Sequence, residues 1–72
     1  MATVLVVDDE PIVRDVVVRY LRRDGFTTLE AGDGDTARDL IETADPQLVV
    51  LDVMLPGTDG LELCRWIRGR SE

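Results

Sequence analysis

The sequence predicts an α/β fold on a parallel sheet, and three observations predict it. An uninterrupted run rich in β-branched residues at Thr3–Val7 and a fully apolar one at Leu48–Leu51 read as buried strands. Between and after them, apolar residues recur at helical spacing. Helical crossovers between buried strands require parallel pairing and right-handed connections.

The elements follow in order. Thr3–Val7 is the first strand, and Pro11 then occupies a first helical position, where its missing N–H costs nothing. Val13, Val16, Val17, Tyr20 and Leu21 recur at helical spacing and read as the buried face, with Arg14, Arg19, Arg22 and Arg23 mostly off it. Gly25 is the stop. Residues 26–31 read as a second, shorter strand, followed by a Gly32-Asp33-Gly34 loop. Ala37, Leu40, Ile41 and Ala44 place a second helix over 35–44, which Asp45-Pro46 ends. Leu48–Leu51 is the third strand. Asp59-Gly60-Leu61-Glu62 has the form of a capping box, opening a third helix with Leu61, Leu63, Cys64, Trp66 and Ile67. The order is β-α-β-α-β-α, and in such sheets ligands sit at the carboxyl ends of the strands.

Composition removes many chemistries. The 72 residues make one small domain or part of one, 44% hydrophobic, with a formal net charge of -7. That charge disfavours nucleic acid and anionic membranes and suits a cation. There is no His, no Lys and a single Cys, so Ser-His-Asp sites, zinc sites and Walker P-loops have no parts to work with. Cys64 alone forms no internal disulfide, which fits a reducing cytoplasm, and no signal peptide or membrane span is present. Carboxylates are abundant, as ten Asp and five Glu.

Two strands end in acids: the first at Asp8, Asp9 and Glu10, the third at Asp52. With those strands adjacent, Asp8, Asp9 and Asp52 meet at one edge. Two carboxylates 4 Å apart repel by roughly 4 kcal/mol at an effective dielectric of 20, so a proton or a cation must share the site. Mg²⁺ suits a few carboxylates with a backbone oxygen and waters. A carboxylate beside it is a known type of phosphoryl acceptor. The plainer alternative is that the first acids merely complement a helix start; the second acidic strand end weighs against it.

The segments VLVVDDEP, LVVLDVMLPGTDGLEL and the DG of AGDGDTA resemble the receiver domain of two-component response regulators, and the likeness runs along the whole chain. It implies a flavodoxin-like parallel sheet, here truncated to three strands in the order 2-1-3 with three helices. Residues 1–72 are then a partial receiver domain of three βα units, with no second domain. By the same resemblance Asp52 is the phosphoacceptor, Asp9 contacts Mg²⁺ directly, Asp8 acts through water, and Met54 supplies a backbone carbonyl. Pro56 and Gly57 shape the loop that follows. The donor it implies is a phosphohistidine on a sensor histidine kinase. The family's Ser or Thr after strand four and Lys after strand five are not in this sequence, so the expectation is weak Mg²⁺ binding, poor phosphorylation and no switching. Strand three, left as an apolar edge, is expected to pair with a second copy. The wording of DVMLPGTDGLEL is nearest to winged-helix DNA-binding regulators, which would make DNA contact the task of another domain and transcription regulation an inherited role.

Three other readings carry less. Gly32-Asp33-Gly34-Asp35-Thr36-Ala37 fits the dinucleotide pattern G-x-G-x-x-A, but follows the wrong strand and holds two acids where a pyrophosphate would sit. An Asp-nucleophile phosphatase of the haloacid-dehalogenase type needs a second Asp at position 54, which is Met. Arg65, Arg68 and Arg70 read as a solvated helix end, Trp66 as a half-buried cover of the sheet, and Cys64 as a small packed hydrophobe.

Overall fold

A computed structural model of the chain describes residues 2–51 and 65–69. Within them run β1 (Thr3–Val7), α1 (Pro11–Arg23), β2 (Thr27–Ala31), α2 (Gly34–Ala44) and β3 (Leu48–Leu51). Residues 65–69 are helical. The capping box at 59–62, Cys64 and Arg70 lie outside the described residues.

The sheet has the order β2-β1-β3, all parallel, as expected. β1 is central because it is the most apolar strand: Val4, Leu5, Val6 and Val7 are all buried. Strand alternation divides them between two layers. Leu5 and Val7 pack with Ala31, Ala37 and Ile41, and Leu29, Leu40, Val49, Leu51, Trp66 and Ile67 close over them. Val4 and Val6 face the other way, onto Val18, with Val17 and Leu21 alongside. α1 packs on β1 and β2, and among the described residues Leu48 and Val50 of β3 are left exposed, at 56% and 37%. The Thr3 N–H donates to Gln47 Oε1 at 2.7 Å and the Gln47 N–H to the Thr3 carbonyl at 2.9 Å. This double link pins the start of β3 to β1.

The buried face of α1 departs from the sequence expectation. Val13, Val16 and Tyr20 are exposed, as is Ile12 at 81%, whereas Val18 is buried. The inward stripe is Arg14, Val17, Val18 and Leu21, at i, i+3, i+4 and i+7. α1 carries apolar residues on more than one stripe, so spacing alone does not choose between them. The rule that cations lie outward fails at Arg14, whose side chain is only 21% exposed.

Helix ends account for two smaller differences. Gly25, at φ 93, closes α1 with both bonds of a Schellman motif: the Phe26 N–H reaches the Leu21 carbonyl and the Gly25 N–H the Arg22 carbonyl. Phe26 therefore has its amide engaged in the cap, and β2 begins at Thr27 rather than 26. α2 begins at Gly34 rather than 35, because Asp33 is its cap. Asp45, left-handed at φ 48, ends α2 as its N–H returns to the Ile41 carbonyl.

Candidate functional site

β1 and β3 end level, with Val7 opposite Leu51. The next residues are Asp8 and Asp52. Asp8 and Asp9 lie within the described residues; Asp52, Met54, Pro56 and Gly57 lie outside them. Among the described residues no three acids gather into a metal-binding group, so the described part of the site is the acidic pair after β1.

Asp8 is held from three sides. Its N–H extends the β1–β2 ladder by donating to the Ala31 carbonyl at 3.1 Å. Its Oδ1 accepts the Glu10 N–H at 2.9 Å, closing a turn across Asp9. Its carbonyl accepts from Arg14 Nη1 at 2.8 Å. Asp9, at the crest of that turn, is exposed, and its carboxylate has no hydrogen bond or ion pair among the described residues. A half-buried, fixed carboxylate beside an exposed and unpaired one offers hard oxygen donors, the chemistry Mg²⁺ takes.

Sequence reasoning missed Arg14. Its guanidinium reaches from the first turns of α1 back under the acidic loop, donating Nη1 to Asp8 and Nε to Glu30 of β2 at 3.1 Å. Gly32 leaves it room: a Cβ there would lie 3.2 Å from Nη1. The signal available was its spacing, three and four residues before Val17 and Val18.

The loop after β2 has another use for its acid. Asp33 Oδ1 accepts the Thr36 N–H at 2.7 Å, and Oδ2 accepts the Thr36 hydroxyl at 3.2 Å. These bonds favour the charged form and hold the Asp33 carboxyl below its ordinary value. A carboxylate occupying the α2 N-terminus fills the place a pyrophosphate would take, so the dinucleotide pattern at 32–37 is an ordinary strand-to-helix loop. Trp66 is half-buried on the α2 face of the sheet, its ring centroid 5.3 Å from the Arg38 guanidinium carbon.

Solved structures resemble this fold closely. TrrA from Thermotoga maritima, a response regulator solved in complex with Mg²⁺-BeF, superposes with a TM-score of 0.93 at 36% identity over 97% of this chain and 61% of its own. TrrA in complex with the histidine kinase ThkA gives 0.91 at 36%, over 97% and 60%. The BeF3-activated receiver domain of Klebsiella pneumoniae RstA gives 0.90 at 38%, over 94% and 58%. The chain thus spans about three fifths of these proteins' length. The family model for the response regulator receiver domain matches residues 4–72, and with the β2-β1-β3 sheet and the acidic pair that follows β1, the chain belongs to the response regulator receiver domain family.

Proposed function

We propose that this segment accepts a phosphoryl group on Asp52 from a phosphohistidine of a sensor histidine kinase, with Asp8, Asp9, Asp52 and the Met54 backbone carbonyl holding Mg²⁺. The observation that carries this reading is the register Val7 opposite Leu51, since the residues following those partners are Asp8 and Asp52. The unpaired Asp9 carboxylate supports it, as does the Mg²⁺-BeF complex of a neighbour 36% identical. When bound, Mg²⁺ supplies charge neutralisation between the acids and the phosphoryl oxygens. An Asp52 carboxylate oxygen forms the new P–O bond as the donor's P–N bond breaks, and the leaving imidazole takes up a proton. The chain is an acceptor in this exchange, not a turnover enzyme.

A kinase partner is supported by the neighbour solved with one. Ile12, Val13, Val16 and Tyr20 form an exposed apolar stripe on α1, directly after the acidic loop, and this is the surface we assign to the kinase. The likeness of DVMLPGTDGLEL to winged-helix regulators supports an output domain as the part that binds DNA, with transcription as the regulated process. The acidic charge and lone Cys favour the cytoplasm, and among the described residues no helix is long and apolar enough to cross a membrane.

The test is mass spectrometry after treatment with acetyl phosphate and Mg²⁺. A phosphoryl adduct on the native chain, absent from Asp52→Asn and after chelation, is expected. An adduct surviving in Asp52→Asn overturns the assignment, and rapid release of free phosphate favours a phosphatase. A second reading, a self-associating segment without phosphoryl chemistry, is favoured by the exposed Leu48 and Val50. Concentration-dependent sedimentation supports it; a strict monomer at high concentration sinks it.

A further inference from the structure

We infer that Arg14 is the positioning residue of the acidic loop, acting through Asp8 and resting on the cation reading above. Three observations converge on it. First, Arg14 is the only charged residue on the sheet-facing stripe of α1, in line with Val17, Val18 and Leu21. A cation is left on an apolar stripe only when its donors are satisfied there. Second, Arg14 donates in two directions at the carboxyl ends of β1 and β2. Nη1 holds the Asp8 carbonyl at 2.8 Å, and Nε holds Glu30 Oε1 at 3.1 Å. Third, position 32 is glycine, where any side chain would begin 3.2 Å from Nη1. The loops after both strands are shaped around this one side chain.

The consequence lies in the turn that Arg14 closes. With its N–H on Ala31 and its carbonyl on Arg14, the Asp8 peptide units cannot rotate. Its carboxylate is then aimed so that Oδ1 meets the Glu10 N–H and Oδ2 stays open, and Asp9 is presented at the crest. The Glu30 bond adds little energy of its own, being partly exposed. Its work is directional, because it fixes the plane of the fork so that Nη1 faces Asp8. Supports of this kind, behind a metal ligand, typically alter metal affinity about tenfold or more.

The experiment compares the native chain with Arg14→Met, Arg14→Lys and Glu30→Gln. Two quantities are read: Mg²⁺ affinity by calorimetric titration, and hydrogen exchange of the Glu10 amide in metal-free protein, referenced to the Val4–Val7 amides. Arg14→Met is expected to weaken Mg²⁺ about tenfold and to speed exchange at Glu10 while β1 stays protected. Arg14→Lys, with one compact donor group in place of a fork, recovers part of both. Glu30→Gln shifts both slightly. Unchanged values in Arg14→Met overturn the inference, as does an equal loss of protection throughout β1, which would mark a merely structural role. Should Arg14→Met fail to fold, Arg14→Lys and Glu30→Gln decide the matter by the same two readouts. If the native chain takes up no Mg²⁺, the cation reading fails, and the Glu10 amide alone decides whether Arg14 holds the loop.

Discussion

Two acidic loops leave the same end of the sheet, and they use their carboxylates in opposite ways. After β2, both oxygens of Asp33 are bonded to Thr36, so the acid serves its own helix. After β1, Glu10 sits at the cap position of α1 without a side-chain cap bond, and Pro11 follows at the first helical position. Proline there brings no N–H to satisfy. The helix start makes no demand on Asp9, and Asp8 is held by bonds that leave Oδ2 open. An acid after a strand is available to a ligand when the helix beyond it is begun by other means.

The deepest break in this comparison is at the support both loops share. Leu5, fully buried in the central strand, packs beneath the ends of β1 and β2. Leu5→Ala is expected to cost about 3 kcal/mol, read as a lowered urea midpoint, and a core this small has little reserve. Next in size, Asp9→Asn removes a free carboxylate and should weaken Mg²⁺ about tenfold, or about 1.4 kcal/mol of binding, with the thermal midpoint unchanged. Calorimetry and thermal melting on one sample separate those outcomes.

Asp33→Ala should do the reverse, leaving Mg²⁺ affinity alone and lowering the melting temperature by roughly a few degrees. Equal losses of Mg²⁺ affinity in Asp33→Ala and Asp9→Asn would collapse the distinction between the loops. The smallest effect is in pH. Asp33 is held below its ordinary 3.8, so the folded state binds its proton less readily than the unfolded chain does. Its contribution is complete above the ordinary value and fades as pH falls through the lowered one. Melting curves below that value should converge for native and Asp33→Ala.

Much of this was legible in the residues. β1 and β3 have the bounds their runs predict, because four or five residues rich in Val and Leu are too short for a helix and are flanked by turn-forming residues. Pro11 marks the start of α1 because its missing N–H costs nothing at the first helical position, and Gly25 marks its end through a positive φ that favours glycine. What was not legible depended on contacts distant in sequence. Phe26 reads as strand but lends its amide to the helix before it. Val18 and Arg14 face inward because of what β1 and β2 present to α1; the helical spacing of 14, 17, 18 and 21 is in the sequence, but so is that of the exposed stripe, and local pattern does not choose between them. Asp8 and Asp9 could be named from the sequence, but not the arginine beneath them. Asp52, named as the acid that ends the third strand, and Met54, named by resemblance, lie outside the described residues, so their roles rest on the proposal.

The position of β1 between β2 and β3 has a consequence in time. Thr3–Val7 leaves the ribosome before any partner strand exists, and its two ladders close only once Ala31 and then Leu51 have been made. Until then four valines and leucines are exposed as an unpaired, uncharged stretch, the kind that seeks strands on other chains. The three acids that follow directly lend that stretch negative charge while it waits. The residues assigned to hold a cation in the finished protein would, in the nascent one, keep its central strand from finding the wrong neighbour.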